Sequence, residues 1–257
     1  MLQQILTGVA ILLVLYLIYV LLKYFKFFEN IHLTSQMSAD DNGYEVDFDD
    51  WCPSGTPSSN YALSIWFYVS SWDNSSTKYI FQRIDNDNNN EIAAYLSQNT
   101  NDLTVEFTDT DDVSTSCVVE NIPLQKWIHL AVVKYGEVVD IFVDGKLLKS
   151  CVSSSGSALA KSPVSNPILL HGTYSSGTAT DQGFDGYTTY LKYYNETISP
   201  QEVYNIYANG YGGSFLDSLL GGYRMRMSLF RNDQEIAGIG LGSVSYTHLT
   251  LPTIYSV

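Results

Sequence analysis

Short apolar segments that alternate with polar turn residues run through the middle of the chain. The clearest pair lies before Gly145, where strands are predicted over Trp127–Lys134 and Val138–Val143. A short turn containing glycine joins them, and Asp144-Gly145 follows at once as a typical two-residue hairpin turn. In the first strand apolar side chains occupy both faces, so the pattern predicts a strand buried on both sides. The simplest structure that buries such a strand is a sandwich of two packed sheets.

Further segments with the same pattern predict an all-β domain of short antiparallel strands. Clusters of Ser, Asn, Asp, Gly and Pro, which favour turns, separate them. One short helix is predicted near the C-terminal end of the domain, because Ser199 and Glu202 form a capping box ahead of an apolar face. In chain order the further strands are Tyr61–Val69, Tyr79–Arg83, Glu91–Leu96, Leu103–Phe107, Cys117–Val119, Lys146–Val152, Ile168–Leu170 and Phe184–Tyr194.

Residues 1–28 are predicted to be a membrane anchor outside the globular domain. Ile5–Leu22 carries no charged residue and is just long enough to cross a bilayer as a single transmembrane helix. A cleavable signal peptide is the alternative, but the chain lacks the basic start and the small-residue cleavage site of such a peptide. Residues 29–50, which include the acidic run Ser35–Asp50, are predicted to be a solvated linker.

The C-terminal part of the chain has a different pattern. Tyr223–Phe230 alternates apolar and polar residues, which predicts the first strand of a further, truncated β unit over residues 213–243. Val244–Thr253 can be encoded by a DNA sequence that resembles a transposase-type sequencing adapter. We therefore interpret residues 244–257 as an artefact and assign them no function.

The net charge, the cysteines and the glycosylation sequons of the chain indicate which partners it can bind and in which compartment the domain lies. The formal net charge is −14, from 27 acidic and 13 basic residues, so binding to nucleic acid is disfavoured. Asn74 and Asn195 lie in glycosylation sequons, and Cys117 and Cys151 flank the central hairpins at positions that could pair. These features favour an extracytoplasmic or virion-surface location for the domain. The two lysines that follow the predicted span favour the opposite orientation.

Three local patterns resemble one family. Trp127–Val133 is similar to its W-x-H-h-A-V-V strand, and Ile141–Leu147 to its hairpin with a central D-G. Phe184–Tyr187 followed by Ile198–Val203 is similar to its closing block. The chain thus resembles the laminin-G-like, concanavalin A-like jelly-roll domains, which would cover residues 51–212. The anchor, the run before Trp127 and the cysteine positions are also similar to domains encoded by large DNA viruses.

The resemblance implies binding of glycan or protein ligands and, in related enzymes, hydrolysis of glucans. Glu45–Asp50 is similar to the E-x-D-x-x-E strand of those enzymes but lacks its final Glu, so we predict no enzymatic activity. Asp85 and Asp87 are candidate ligands for Ca²⁺, the only cofactor suggested. Their loop departs from the EF-hand pattern, and the pattern favours a polar hairpin loop over a calcium site. His129 is expected to be a packing residue.

Aromatic residues in loops and on the closing strand are the candidate ligand-binding groups. Trp72, Tyr174, Tyr187 and Tyr190 could stack on sugar rings or anchor a protein partner. The predicted function is a membrane-anchored, non-catalytic recognition module for glycan or protein ligands. The alternatives are a structural component of a virion, an envelope or a surface assembly, and a glucan hydrolase.

Overall fold

The computed structural model describes residues 16–17, 35–40, 43–52, 55–159, 166–175, 178–211, 225–231 and 234–241. The chain divides into two compact units, residues 1–208 and 209–257. No helix within the described ranges is long and apolar enough to cross a membrane. The predicted span over residues 5–22 falls outside those ranges except for Tyr16 and Leu17, as do residues 244–257 in full.

In chain order the elements in the described part of the first unit are β1 (Met37–Ser38), β2 (Tyr44–Val46), α1 (Phe48–Trp51), β3 (Tyr61–Val69), β4 (Lys78–Ile84), β5 (Asn90–Leu96), β6 (Leu103–Thr108), β7 (Ser114–Val119), β8 (Trp127–Tyr135), β9 (Val138–Val143), β10 (Lys146–Val152), β11 (Ile168–Leu170), β12 (Gly172–Ser175), β13 (Thr178–Asp181), β14 (Gly186–Tyr194) and α2 (Pro200–Asn209). Most of these strands form two six-stranded antiparallel sheets. Sheet A has the strand order β1-β14-β3-β8-β9-β10, and sheet B has the order β2-β11-β4-β5-β6-β7. β12 and β13 pair as a two-stranded sheet and lie in the chain between β11 of sheet B and β14 of sheet A.

The predicted two-sheet antiparallel sandwich with a short helix near its C-terminal end is confirmed. All strands predicted between Tyr61 and Tyr194 are present, and their ends differ from the prediction by at most three residues. The helix α2 begins with the predicted capping box. The backbone N–H of Ser199 donates to Glu202 Oε2 (2.6 Å), and the N–H of Glu202 donates to Ser199 Oγ (3.3 Å).

The central strands β3 and β8 are buried on both faces, as the apolar pattern predicts. One face packs in the main core between the sheets, where Ile65 and Leu130 are fully buried. The outer face of these strands packs against helix α2. There Ala131 and Phe142 lie with Val203 in a second, smaller hydrophobic core. Burial of each large aliphatic side chain contributes about 1.5–3 kcal/mol, so the helix stabilises the outer face of sheet A.

Part of the predicted acidic linker belongs to the sandwich, which corrects the interpretation of residues 29–50. β1 pairs with β14 at the edge of sheet A, and β2 pairs with β11 at the edge of sheet B. These strands are too short and too polar to show an apolar pattern, and backbone hydrogen bonds hold them. Between them Ala39 is fully buried, and the N–H of Phe184 donates to its carbonyl (2.8 Å). A Cβ on Gly183 would lie 2.0 Å from that oxygen, so this approach requires glycine.

The C-terminal unit contains a second strand that the sequence pattern missed. β15 (Met225–Arg231) pairs with β16 (Gln234–Leu241) as an antiparallel hairpin. The prediction gave only the first strand, because the glycines of the second lower its apparent strand propensity.

The cysteines connect the two sheets at one edge. A disulfide joins Cys117 on β7 to Cys151 on β10, and these are the outermost strands of sheet B and sheet A at that edge. Such a cross-link stabilises a fold by about 2–4 kcal/mol. The third cysteine, Cys52, is buried and does not take part in this disulfide.

A buried carboxylate holds charged groups from both sheets. Glu91 on β5 pairs with Lys134 on β8 (Nζ to Oε1, 2.6 Å) and with Arg83 on β4 (Nη1 to Oε2, 3.2 Å). The hydroxyl of Tyr61 on β3 donates to Glu91 Oε1 (2.7 Å), and the Arg83 guanidinium lies 4.0 Å from the ring centroid of Trp51. Burial raises the pKa of Glu91, but the positive charges of Lys134 and Arg83 outweigh that effect and lower it. Glu91 is therefore ionised in the core.

Two buried histidines are neutral in the folded protein. His129 Nε2 lies 2.9 Å from Ser64 Oγ, and His171 Nε2 lies 2.6 Å from Thr188 Oγ1. Burial lowers the pKa of His129 to about 4, although the charge of Asp144 opposes the shift, and burial also lowers the pKa of His171 to about 4. His129 is a packing residue, since its ring lies 5.1 Å from that of Trp66.

We predict that Glu91→Gln destabilises the fold by about 3–5 kcal/mol, because it leaves two buried cations without their counter-charge. Urea unfolding measures the change. Glu106→Gln is the matched control: Glu106 lies on the outer face of sheet B, half-buried, and accepts hydrogen bonds from Asn90 and Tyr95. The control is expected to lose less than about 1.5 kcal/mol. Equal losses in the two variants would contradict the assigned role of Glu91.

We predict that stability falls as the pH is lowered from about 6.5 towards 4. The unfolded chain takes up protons on its histidines near pH 6.5, whereas folded His129 and His171 take them up only near pH 4. Their contribution is thus fully present above pH 6.5 and lost below it, by up to about 1.4 kcal/mol per pH unit for each histidine. Urea unfolding between pH 5 and 6 measures the slope.

The variant His171→Asn isolates one of the two contributions. Between pH 5 and 6 the free energy of unfolding of this variant should rise less steeply with pH than that of the unmodified chain. The difference corresponds to about one proton fewer taken up on unfolding, whatever the absolute stability of the variant. Between pH 7.5 and 8.5 the two proteins should show the same slope, since neither histidine titrates there. An unchanged slope between pH 5 and 6 would show that His171 is not held neutral by the fold.

Candidate functional site

Four loops meet at the end of the sandwich that is opposite to the Glu91 cluster. They are residues 70–77, 97–102, 120–126 and 182–185, which connect or precede the ends of the central strands. Side chains link them to one another. Gln98 Nε2 donates to the carbonyl of Asn74 (2.8 Å), Asn101 Nδ2 to that of Ile122 (2.7 Å), and Ser71 Oγ to Asp185 Oδ2 (2.5 Å). We call this region the loop end.

The loop end contains an open groove of about 470 Å³, which we call the Trp72 groove. Trp72 and Leu124 supply its apolar lining, and Glu120 and Asp102 supply carboxylates. The remaining lining is neutral and polar, and comes from Asn99, Thr100, Asn101 and Asn121. An aromatic ring beside amides and carboxylates suits a ligand with one apolar face and several hydroxyl groups.

The ring of Trp72 is held in place by its neighbours. Its indole Nε1 donates to Asn74 Oδ1 (3.0 Å), and the ammonium of Lys78 lies 4.4 Å from the ring centroid. Lys78 is buried and donates to the carbonyl of Ser76 (3.0 Å). Burial lowers the pKa of Lys78, while Asp73 acts in the opposite direction. Trp72 is half-buried, so part of its ring is presented to the groove in a fixed orientation.

Asp102 is fixed by two hydrogen bonds. Its Oδ1 accepts from the backbone N–H of Asn121 (2.9 Å), and its Oδ2 accepts from Thr100 Oγ1 (2.7 Å). These bonds lower the pKa of Asp102, with the Asn121 bond having the larger effect. Asn121 has φ of 58°, a left-handed conformation that asparagine tolerates better than most residues. The carboxylate is therefore ionised and its position is defined.

The structure does not gather the four predicted ligand aromatics into one site. Trp72 lines the groove, whereas Tyr187 lies exposed on the outer face of sheet A opposite Tyr68. Tyr190 occupies an irregularity of β14 with φ of 55°. Tyr174 lies on β12, and its hydroxyl donates to Glu45 Oε1 (3.0 Å). The groove's asparagines and carboxylates were missed, because the sequence gives them only as polar loop residues.

The proposed calcium ligands take part in a turn. Asp85 Oδ1 accepts from the backbone N–H groups of Asp87 and Asn89, both at 2.8 Å. Among the described residues no group of three or more His, Cys, Asp or Glu is arranged to hold a metal ion. Asp85 thus closes the β4–β5 loop, as expected for a polar hairpin loop.

The acidic run that is similar to a glucanase motif is divided between different elements. Glu45 lies on β2, whereas Asp49 and Asp50 lie on α1. Glu45 also accepts the hydrogen bond from Tyr174 described above. These carboxylates therefore do not alternate along one strand, as those of the E-x-D-x-x-E motif do.

The remaining residues that the sequence singled out lie in polar contacts. Asp144 and Gly145 form the β9–β10 turn with φ of 50° and 75°, and Asp144 pairs with Lys126 (2.6 Å). Asn195 Oδ1 accepts from the backbone N–H of Ser58 (2.6 Å). Asn74, the other predicted glycosylation site, is exposed beside Trp72.

Comparison with known families identifies the sandwich. A sequence model described as the concanavalin A-like lectin/glucanases superfamily, of the Laminin_G_3 type, matches residues 40–204, which is more than half of the chain. The match includes β2 and begins within the segment that had been interpreted as a linker. No curated protein sequence matches the chain.

Solved structures share the fold at low sequence identity. CBM40 of the Ruminococcus gnavus IT-sialidase, bound to alpha2,3 sialyllactose, is 12% identical with a TM-score of 0.53, over 67% of this chain and 96% of that one. The ligand binding domain of botulinum neurotoxin serotype D, in complex with N-acetylneuraminic acid, is 13% identical with a TM-score of 0.53. That match covers 70% of this chain but only 43% of the toxin domain. At such identities the likeness shows the fold alone.

Proposed function

The chain belongs to the concanavalin A-like lectin/glucanases superfamily, and on that premise we propose that it is a non-catalytic recognition module that binds glycans in the Trp72 groove. The observation that carries the proposal is the fixed indole ring of Trp72 in a groove that amide and carboxylate side chains also line. Fold alone is a weak guide to ligand, so the argument depends on the chemistry of the groove.

The groove provides both kinds of contact that a sugar needs. The C–H face of a pyranose ring is apolar and packs on an aromatic ring, while its hydroxyl groups both donate and accept hydrogen bonds. Asn99, Asn101 and Asn121 are among the residues that line the groove and bring amide groups to it. Asp102 is already oriented by Thr100 and Asn121, so little conformational entropy would be lost when a ligand binds.

The two similar structures support this proposal, since each was solved with a sialic-acid-containing ligand. Their ligands belong to those proteins, and the low identity does not carry individual contacts over to this chain. They do support the use of this sandwich as a framework on which loops recognise sugars.

The proposal includes a membrane tether through residues 5–22 and an extracytoplasmic domain. The disulfide between Cys117 and Cys151 supports an oxidising compartment, because such bonds persist mainly outside the cytosol. The exposed position of Asn74 is compatible with its glycosylation. Mass spectrometry of Asn74 in the protein from its natural host would test the compartment directly.

We predict that Trp72→Ala lowers glycan affinity roughly tenfold or more, because the loss of an aromatic stacking contact in a binding site costs about 1.4 kcal/mol or more. The full 257-residue chain would be produced in a bacterial host that forms disulfides, so that Asn74 carries no glycan. A glycan array identifies ligands, and isothermal titration calorimetry gives the dissociation constants of both proteins.

Two variants control for correct folding and for non-specific binding through exposed aromatic rings. Trp72→Phe keeps an aromatic ring and should retain much of the affinity, whereas Tyr135→Ala removes an exposed ring at the opposite end of β8 and should have no effect. Unchanged affinity of Trp72→Ala would show that the groove is not the binding site. The absence of any glycan ligand would overturn the function itself and favour a structural role in a virion or surface assembly.

A further inference from the structure

We propose that the Trp72 groove selects neutral glycans and rejects sialylated and other acidic ones. This inference rests on the proposed function and names the class of ligand for the same groove. Neutral glycans differ from the sialic acid ligands with which the similar structures were solved. The preference for them follows from the charges that the loop end carries.

The loops around the groove are acidic. They contain Asp73, Asp102, Glu120 and Asp185, against a single basic residue, Lys126. None of the residues that the structure describes as lining the groove is basic. Recognition of a sugar carboxylate normally uses an arginine, a lysine or several aligned N–H donors. The groove instead presents the carboxylates of Asp102 and Glu120.

The two lysines close to this region are engaged elsewhere. Lys126 pairs with Asp144 on the β9–β10 turn at 2.6 Å. Lys78 is buried against the ring of Trp72, and its ammonium donates to the backbone carbonyls of Asp73 and Ser76. Neither lysine is among the residues that line the groove, and both ammonium groups already have acceptors on other residues.

The carboxylate of Asp102 keeps its negative charge throughout the physiological range. The N–H of Asn121 and the hydroxyl of Thr100 donate to its two oxygens, which favours the ionised form. Each oxygen can accept a further hydrogen bond, so a sugar hydroxyl can donate to it. A sugar carboxylate cannot donate when ionised and is repelled.

The size of the discrimination follows from the charges. Two like charges about 6 Å apart at a wet surface repel enough to weaken binding roughly threefold, and two such carboxylates act together. The net charge of −14 adds to this at low ionic strength. We therefore expect neutral glycans to bind roughly tenfold or more tightly than their sialylated counterparts.

The test uses matched pairs of glycans that differ only in a terminal sialic acid, with lactose and sialyllactose as one pair in a wider panel. The full chain, made without glycosylation, is compared with the double variant Asp102→Asn, Glu120→Gln. The Asn side chain still offers an oxygen to the N–H of Asn121, so the loop should keep its conformation. Calorimetry at 20 mM and at 500 mM NaCl gives the ratio of affinities within each pair.

The neutral member of each bound pair should be preferred roughly tenfold or more at low salt, and the preference should shrink at high salt and in the double variant. Equal or tighter binding of sialylated members, lost in Trp72→Ala, would overturn this inference and leave the proposed function intact. A neutral preference that neither salt nor the double variant reduces would also overturn it, because the cause would then not be these charges. If no member of any pair binds, both the inference and the proposed function fail.

Discussion

The carboxylate of Glu91 is the constraint on which the packing of the two sheets depends. A charged group in a core is costly to desolvate, and here Lys134 and Arg83 share one carboxylate, which Tyr61 also contacts. Glu91 itself lies on β5 of sheet B, and its partners come from β4 of the same sheet and from β3 and β8 of sheet A. A slip of one residue between β3 and β8 would turn Tyr61 or Lys134 to the other face and leave Glu91 short of a partner. The cluster therefore selects one register as well as joining the sheets.

This fixed end of the sandwich leaves the other end free to carry loops. The disulfide between β7 and β10 closes one edge, and α2 covers the outer face of the central strands. The ends of the strands in this framework fix the positions at which the loops begin and end. Hydrogen bonds between loops then set the details, as when Asn101 reaches the carbonyl of Ile122. The Trp72 groove is thus built on rigid strands and shaped by polar contacts.

The local patterns in the sequence were sufficient for the architecture. The double-faced apolar run of β8 indicated a two-sheet core, and the capping box of Ser199 and Glu202 indicated α2. The sequence could not reveal β1 and β2, since short polar edge strands are held by backbone bonds that leave no side-chain pattern. Contacts between distant positions were equally hidden. Tyr174 and Glu45 are 129 residues apart, and Lys134 and Glu91 are 43 apart.

The same reasoning applies to the site. Trp72 could be chosen from the sequence because an aromatic residue in a polar loop is unusual, but its partners could not. Asn101 and Asp102 come from one loop and Asn121 from another, and only the pairing of β6 with β7 brings them together. Tyr187 and Tyr190 were equally good candidates by composition. Whether an aromatic ring lies in the groove or on an open face depends on how strands and loops are arranged in the folded protein.

A shared sandwich determines where the binding loops lie and leaves their charge unconstrained. The strands around Glu91 and the covered face of β8 depend on apolar and paired groups, whereas the loop end is solvated and tolerates any sign of charge. Domains that are 12–13% identical in sequence therefore share one framework, on which loops of different charge can be carried. In this chain the loops hold Asp102 and Glu120 beside Trp72, while Lys126 pairs with Asp144 and the ammonium of Lys78 packs against the Trp72 ring. The electrostatics of the ligand site are thus decided by a few loop side chains, which the stability of the fold does not restrict.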